Sequence, residues 1–298
     1  MGNSWRGGEL GEKLRLYGFN NLTKSLSLSI YDVCYTEGES VQQDYIASID
    51  EQYNYARLTE ILLNVTEQIG AQVLNISGQD YEPQGASVNL LIAEDEIPED
   101  LIDPSNNRGK DFGTSKPTPA SSKPSSIHAH LDKSHVTVHS FPESHPNRSI
   151  STFRGDIDVS TCGKISPLST LDYLIASFDS DVITIDYKVR GFTRDENGKK
   201  HFMDHAMRSI QDYIDPEILR NYDTTDINFY QSNLFHTRMM LKELELANYL
   251  FNIDPADLTT DARSKIEEQL QHEIIEIYNG VNIYDEWCFG KDSKKWLS

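Results

Sequence analysis

The sequence predicts an α+β fold in which helices cover one face of a mainly antiparallel sheet. Three observations support this prediction: apolar residues alternate with polar ones along several short segments, helical periodicity separates two of those segments, and a turn-rich sequence joins two others. The chain has 298 residues, of which 38% are hydrophobic. A chain of this length and composition buries a sizeable core.

Strands are predicted where apolar side chains recur at every second position, because such a pattern places them on one face of a sheet. The first predicted strand contains Leu26, Leu28 and Ile30 on one face and serines between them. The second and third strands flank a segment with Pro83 and Gly85, which suit the turn of a hairpin. The predicted strands lie at about 26–33, 71–77, 87–93, 128–141, 154–161 and 182–189.

Two helices are predicted in the same part of the chain. Apolar residues at three- and four-residue steps run from Ile46 to Ile69, and Gly70 follows where a helix commonly ends. Ser166 and Pro167 favour the start of a shorter helix with an apolar face.

The composition changes twice along the chain. Residues 103–126 are rich in Ser, Pro, Lys, Gly and Asn, which predicts a flexible loop. After residue 192 the pattern favours helices, near 200–213, 237–252 and 259–278. We therefore expect a core α+β domain at 1–192 and a mainly helical carboxy-terminal extension at 193–298.

Charge and composition argue against several classes of protein. The formal net charge of −20 repels phosphate backbones, so we expect no nucleic-acid partner. No segment approaches the roughly 18 apolar residues of a membrane span, and we expect a cytoplasmic protein without a membrane partner. Three widely spaced cysteines without a CxxC pair indicate neither a disulfide framework nor a zinc ribbon.

A histidine-rich stretch admits a metal-binding interpretation. Five of the nine histidines lie between positions 128 and 145. On a strand, His135 and His139 would share one face and His128 and His130 another, as in metal-binding barrels of the cupin type. Asp132 alone supplies a nearby carboxylate and no second half-motif follows, so we do not favour this interpretation.

Motifs in three separated segments carry a family resemblance. They are YEPQGAS at 81–87, LDKSHVTVHSFPE at 131–143 and STCG at 160–163. Together, in this order, they resemble the pyruvoyl-dependent S-adenosylmethionine decarboxylases, and in particular the longer bacterial class. The resemblance runs from Gly18 to about Asn279, and its departures lie at the chain ends and in the 103–126 loop.

The resemblance implies that the chain cleaves itself between Lys133 and Ser134. Decarboxylation of an amino acid needs an electron sink joined to the substrate amine as a Schiff base, and no ordinary side chain supplies one. The Ser134 hydroxyl would attack the Lys133 carbonyl to give an ester, and β-elimination would free fragment 1–133 (β chain). Hydrolysis would then leave a covalent pyruvoyl group at the start of fragment 134–298 (α chain).

The same resemblance assigns roles to four further residues. His139 and Ser87 match the residues that take part in processing, and Cys162 matches the acid that protonates the product. His139 is five residues after Ser134, so the two side chains would point to opposite faces if both residues belonged to one regular strand. We therefore expect Ser134 to lie in a turn and outside the strand that holds His139. Glu143 matches the carboxylate that binds the ribose hydroxyls. Adenine stacking in the family uses aromatic rings, for which three candidates remain open: Phe19, Tyr31 and Tyr35.

The predicted function is therefore decarboxylation of S-adenosylmethionine, which supplies the aminopropyl donor for spermidine. An alternative with the same chemistry is a pyruvoyl-dependent ornithine or arginine decarboxylase, and another is a non-catalytic paralogue that activates a true enzyme. The resemblance also implies Mg²⁺ as an activator, without identifiable ligands, and at least a homodimer of cleaved protomers.

Overall fold

The computed structural model describes residues 21–93, 134–145, 148–162, 165–195, 197–202 and 204–282. Within these ranges, eight strands form one sheet in the order β2-β3-β4-β5-β1-β6-β10-β9, and every neighbouring pair is antiparallel. The strands are β1 (Thr23–Tyr35), β2 (Gln72–Asp80), β3 (Ala86–Ala93), β4 (His135–Ser144), β5 (Ile150–Thr161), β6 (Val182–Arg190), β9 (Tyr222–Asp226) and β10 (Leu234–Leu241). A separate ribbon pairs β7 (Thr193–Arg194) with β8 (Lys200–His201). The predicted α+β class and five of the six predicted strands are confirmed. The sixth, predicted at 128–141, is confirmed from His135 onwards, and its residues 128–133 lie outside the described ranges.

Five α-helices accompany the sheet in the described part of the chain: α1 (Glu39–Gln52), α2 (Tyr55–Gln68), α3 (Leu171–Ala176), α4 (Pro216–Arg220) and α5 (Thr260–Asn279). The single helix predicted from Ile46 to Ile69 is wrong in one respect, because the chain breaks between α1 and α2. Asn54 interrupts the helix there and caps α2 by accepting a hydrogen bond from the Arg57 amide at 2.9 Å. Gly70 follows α2 in the left-handed conformation predicted for it, with φ 72°.

One face of the sheet packs under α1, α2 and α3. The alternating side chains of β1 that were predicted to face inwards, Leu26, Leu28 and Ile30, are buried in this core. Tyr53, at the end of α1, stacks on Phe153 with ring centroids 4.6 Å apart and on Phe178 at 5.2 Å. These contacts hold the end of α1 against β5.

Among the described residues, a helix covers the opposite face at one end only. There α5 packs Ile266, Leu270 and Ile274 against Val33, Tyr35 and Val182 of the strands. Beyond α5 most of the described side chains on this face are polar. For example, Ser29 on β1 donates a hydrogen bond to Asp156 on β5 at 2.8 Å. We call the polar part of this face, on β3, β4, β5 and the first half of β1, the open face.

Two helices predicted after residue 192 are wrong. The segment 237–252 begins inside β10, where Phe235, Thr237 and Met239 are buried at every second position and the strand pairs with β6. A short apolar run satisfies helical and strand periodicity equally well, and pairing with β6 decides between them. The segment 200–213 holds β8 and one 3₁₀ turn, Ile210–Tyr213. The third predicted helix, at 259–278, is confirmed as α5.

A pair of buried carboxyl groups links β1 to β6 and to the carboxy-terminal segment. Asp181 accepts hydrogen bonds from the Val33 amide at 2.8 Å and from the Tyr249 hydroxyl, and it also hydrogen-bonds with the carboxyl group of Asp32. Burial raises the pKa of Asp181 to about 6. Burial, followed by the charges of Asp181 and Asp179, raises the pKa of Asp32 well above its ordinary value. The two carboxyl groups therefore share a proton near neutral pH.

Within the described residues, no helix combines the length and the apolar character needed to cross a membrane.

Candidate active site

Ser134 and Cys162 lie side by side at one end of the sheet. β4 begins at His135 and β5 ends at Thr161, and the antiparallel register pairs His135 with Ser160. The start of one strand is therefore beside the end of the other, and Ser134 Oγ lies 3.3 Å from Cys162 Sγ. The Ser134 and Cys162 side chains are only 2% and 5% exposed. A hydroxyl and a thiol in contact and shielded from water can exchange or donate protons to a group placed between them.

Ser134 lies just before β4, but the turn predicted for it is wrong, because its backbone continues the strand pairing with β3. Its carbonyl oxygen accepts a hydrogen bond from the Ile92 amide at 3.2 Å. Lys133, on the other side of the predicted cleavage point, lies outside the described residues. Ser134, which supplies the nitrogen of that peptide bond, is thus held by the hydrogen bond from β3 and by its contact with Cys162.

His139 and Ser87 form a second cluster further along the sheet. They are paired neighbours on β4 and β3, and the Tyr81 hydroxyl lies 3.2 Å from His139 Nδ1. The hairpin between β2 and β3 turns at Gly85, whose φ is 90° and where an added Cβ would meet the Ser140 carbonyl oxygen at 2.5 Å. Glycine is therefore needed for the approach that puts Ser87 next to His139.

The structure does not bring the two clusters together within one chain. β4 is continuous from His135 to Ser144, and five residues of an antiparallel strand span roughly 17 Å. His139 therefore lies much too far from Ser134 to transfer a proton to it directly in the same protomer. It faces the open face, where its ring stacks on Phe141 with centroids 6.1 Å apart.

Glu143 lies on the same side of β4 as His139, four residues further on. It is exposed, and Thr152 on β5 donates a hydrogen bond to its Oε2 at 3.2 Å. A carboxylate in this position can accept from additional hydroxyl groups of a ligand on the open face.

The three aromatic candidates for adenine stacking are placed differently. Tyr35 is buried against α5, and this burial raises its pKa. Tyr31 is half-buried and points to the same side of the sheet as α5, and Phe19 lies outside the described residues. Of the two described candidates, Tyr31 thus keeps the more accessible ring.

The histidine-rich stretch shows the predicted alternation, since His135, Thr137 and His139 lie on one side of β4. In the described ranges no group of three or more His, Cys, Asp or Glu side chains is placed to hold a metal ion. His128 and His130 lie outside those ranges.

Sequence reasoning missed the residues that surround His139. Tyr81 contacts its ring nitrogen, and Arg154 lies over the Phe141 ring at 4.5 Å from its centroid. Tyr81 belongs to the motif at 81–87, yet its contact with His139 depends on the β3–β4 register. The contacts of Tyr81 and Arg154 could have been predicted only if the pairing of β3, β4 and β5 had been known residue by residue.

Comparison with known proteins identifies the family. The family model for S-adenosylmethionine decarboxylase matches residues 45–191. S-adenosylmethionine decarboxylase proenzymes of Alkaliphilus oremlandii and Clostridium perfringens are each 62% identical over 275 residues, covering 92% of this chain and 99% of the relative. The proenzyme of Hahella chejuensis is 55% identical over 274 residues, with the same coverage. The matches include the segment that contains Ser134, His139 and Cys162, and the chain belongs to the S-adenosylmethionine decarboxylase family.

Proposed function

We propose that this chain is a self-processing proenzyme that becomes a pyruvoyl-dependent S-adenosylmethionine decarboxylase. One observation carries the proposal: Ser134 Oγ and Cys162 Sγ are 3.3 Å apart and buried, at the point where β4 and β5 meet. The residue that would become the reactive group thus already contacts the residue that would protonate the product. Membership of the decarboxylase family supports the same assignment.

In the processing reaction the Ser134 hydroxyl attacks the Lys133 carbonyl carbon, and the peptide C–N bond gives way to an ester. Loss of the Ser134 α-proton expels the carboxylate of fragment 1–133. This elimination leaves a dehydroalanine at position 134. Water hydrolyses its imine tautomer, which releases ammonia and leaves a pyruvoyl group at the start of fragment 134–298. The hydrogen bond from Ile92 to the Ser134 carbonyl, together with β5, keeps the reacting residue in place.

The residues around Ser134 fit a pyruvoyl group. When present, the group would supply an electrophilic carbonyl that condenses with the substrate amine and takes up the electron pair left on the α-carbon when carbon dioxide departs. Cys162 holds a proton beside that position and delivers it to the α-carbon of the substrate. An ordinary thiol, with pKa near 8.5, is mostly protonated at neutral pH and is suited to this role.

His139 and Ser87 act, in this proposal, on the Ser134 of a second copy of the chain. The separation of roughly 17 Å along β4 rules out direct proton transfer within one protomer. His139 points to the open face, over which none of the described helices lies at β3 to β5. Two copies that pair through their open faces would bring the His139 cluster of each to the Ser134 of the other. A dimer of cleaved protomers is therefore part of the proposal.

Glu143 would bind the ribose hydroxyls of the substrate from the same open face. Its exposure and its single described partner, Thr152, leave acceptor capacity on the carboxylate. The product would serve as aminopropyl donor for spermidine in the cytoplasm. Activation by Mg²⁺ rests on the family resemblance alone, and restoring activity with Mg²⁺ after treatment with EDTA tests it.

Intact-mass analysis of the purified protein, followed by substrate assays, tests the proposal. We expect two fragments that meet between 133 and 134, the second with a blocked amino terminus. The cleaved protein should release carbon dioxide from S-adenosylmethionine and not from ornithine or arginine. A chain that stays uncleaved, or cleaves and prefers ornithine or arginine, would overturn it.

A further inference from the structure

A buried lysine near the start of β1 contacts the segment that follows Cys162. The Lys24 side chain is 1% exposed. Its Nζ donates a hydrogen bond to the Ile165 carbonyl oxygen at 2.9 Å and forms an ion pair with Asp204 Oδ2 at 3.1 Å. A buried ammonium group needs such partners, because its charge has been removed from water. The lysine is therefore held by an interaction on each side.

The Ile165 carbonyl oxygen is a shared acceptor close in sequence to Cys162. It also accepts a hydrogen bond from Thr161 Oγ1 at 3.2 Å. Thr161 immediately precedes Cys162, and it is paired with Lys24 across β1 and β5. The Ile165 carbonyl oxygen thus accepts hydrogen bonds from both Thr161, the residue before Cys162, and Lys24 on β1.

The counter-charge comes from the carboxy-terminal third of the chain. Asp204 Oδ2 accepts a second hydrogen bond from the Tyr187 hydroxyl at 2.8 Å, so β6 orients the carboxylate towards Lys24. Asp204 lies beyond residue 192, in the part for which the sequence suggested no chemistry. Through Asp204 and Lys24, that part of the chain is connected to Ile165.

We propose that Lys24, held by Asp204, is a positioning residue that fixes Cys162 against the group formed from Ser134. This inference rests on the proposed role of Cys162 as proton donor. A thiol displaced by a fraction of an ångström to 1 Å loses its line of approach to the substrate carbon, while the site that binds the nucleoside is unaffected. The ion pair is thus important for the position of the donor as well as for the stability of the core.

The first test measures the thiol itself, without catalysis. Lys24→Met removes the charge and keeps an unbranched side chain of similar length. In a Ser134→Ala background, which cannot form the pyruvoyl group, iodoacetamide should alkylate Cys162 several-fold faster when Lys24→Met is added. Peptide mapping by mass spectrometry assigns the modified cysteine. Lys265→Met, on the exposed side of α5, is the control and should leave the alkylation rate unchanged.

The second test uses the cleaved enzyme. Lys24→Met should still cleave, keep its KM for S-adenosylmethionine within about twofold, and lose roughly 10- to 100-fold in kcat, as expected for a misplaced reacting group. Lys24→Arg should recover part of that loss because it keeps the charge and the donors. Asp204→Asn, which leaves Lys24 in place, should lower kcat in the same direction.

Two results would overturn the inference. One is a folded Lys24→Met chain with unchanged Cys162 alkylation and unchanged kcat. The other is an Asp204→Asn chain that loses thermal stability while its thiol reactivity and kcat stay at the wild-type values. If Lys24→Met does not fold, Asp204→Asn is the variant that decides between the two outcomes. If the wild type releases no carbon dioxide from S-adenosylmethionine, the proposed function fails, whereas the alkylation comparison still decides whether Lys24 positions the thiol.

Discussion

The Ser134 hydroxyl and the Cys162 thiol are in contact, 3.3 Å apart, although 28 positions separate them in the sequence. They meet because β4 starts where the antiparallel β5 ends. The contact places the residue to be converted and the proposed proton donor in one shielded position before any cleavage has occurred.

Substitution at these two positions should separate processing from turnover. Ser134→Ala should give an uncleaved, inactive chain, because the attacking hydroxyl is gone. Cys162→Ala should still cleave and should lose about 10²- to 10⁴-fold in kcat, the usual contribution of a positioned general acid. Intact mass reports the cleavage, and carbon dioxide release reports turnover. Cys34→Ala, at the other buried thiol of the described residues, is the matched control and should cleave and turn over normally. An uncleaved Cys162→Ala chain would show that the thiol also takes part in processing.

Mixed dimers should show that His139 acts on the partner chain. Alone, His139→Ala keeps Ser134 but should process slowly, and Ser134→Ala cannot process at all. When the two variants are co-expressed with different tags, the His139→Ala chain should cleave, because its partner supplies an intact His139. Cleavage of each tagged chain is followed by intact mass. If co-expression leaves the His139→Ala chain as slow as it is alone, His139 acts within its own protomer or is not involved in processing.

Glu143→Gln should weaken substrate binding more than it slows the reaction. Losing the charge of a hydrogen-bonding carboxylate typically costs about 1.5–3 kcal/mol, which corresponds to a KM for S-adenosylmethionine about 10- to 100-fold higher. Steady-state kinetics with kcat and KM determined separately provide the check. Glu60→Gln, on the exposed side of α2, serves as the control. An unchanged KM for Glu143→Gln would place the ribose elsewhere.

Folding stability should fall as pH rises through the range in which Asp181 and Asp32 ionise. Burial raises both pKa values in the folded state, to about 6 for Asp181. Protonated carboxyl groups therefore favour the folded chain, and their contribution is complete below pH 4 and is lost as pH passes through 6 and above. Its size is on the order of 1–3 kcal/mol.

Asp32→Asn should reduce this pH dependence, since an amide replaces the protonated carboxyl group and can still donate to Asp181. Urea unfolding midpoints at pH 5, 6, 7 and 8 provide the measurement. Asp44→Asn, on the exposed side of α1, should retain the wild-type slope. Identical slopes for wild type and Asp32→Asn would exclude the carboxyl pair as the cause.

The strands could be predicted where burial enforces alternation. Leu26, Leu28 and Ile30 all face the core, so the alternation in β1 fixes which face of the strand is buried. β10 was missed because its apolar residues include the adjacent pair Met239 and Met240, which breaks the alternation of a half-buried strand. Met239 packs in the core under α1 to α3, and Met240 packs on the opposite face with α5. That division depends on α5, which lies on the other side of the sheet.

The candidate site was predictable as a set of residues and not as an arrangement. The motifs identify Ser134, Cys162 and His139 individually. Whether they meet depends on which residue of β4 faces which residue of β5, and spacing along the chain does not determine this register. The same holds for Lys24, whose partner Asp204 is 180 positions away and belongs to no motif.

The order of strands also determines how the two fragments of the proposed cleavage would be held together. Cleavage before Ser134 would assign β1, β2 and β3 to one polypeptide and β4 to β10 to the other. In the sheet these two parts of the chain are interleaved: β4 and β5 separate β3 from β1, and β1 is flanked on both sides by strands of the second part. Separation of the proposed fragments would require three rows of backbone hydrogen bonds to break at once, so we expect them to come apart only by unfolding.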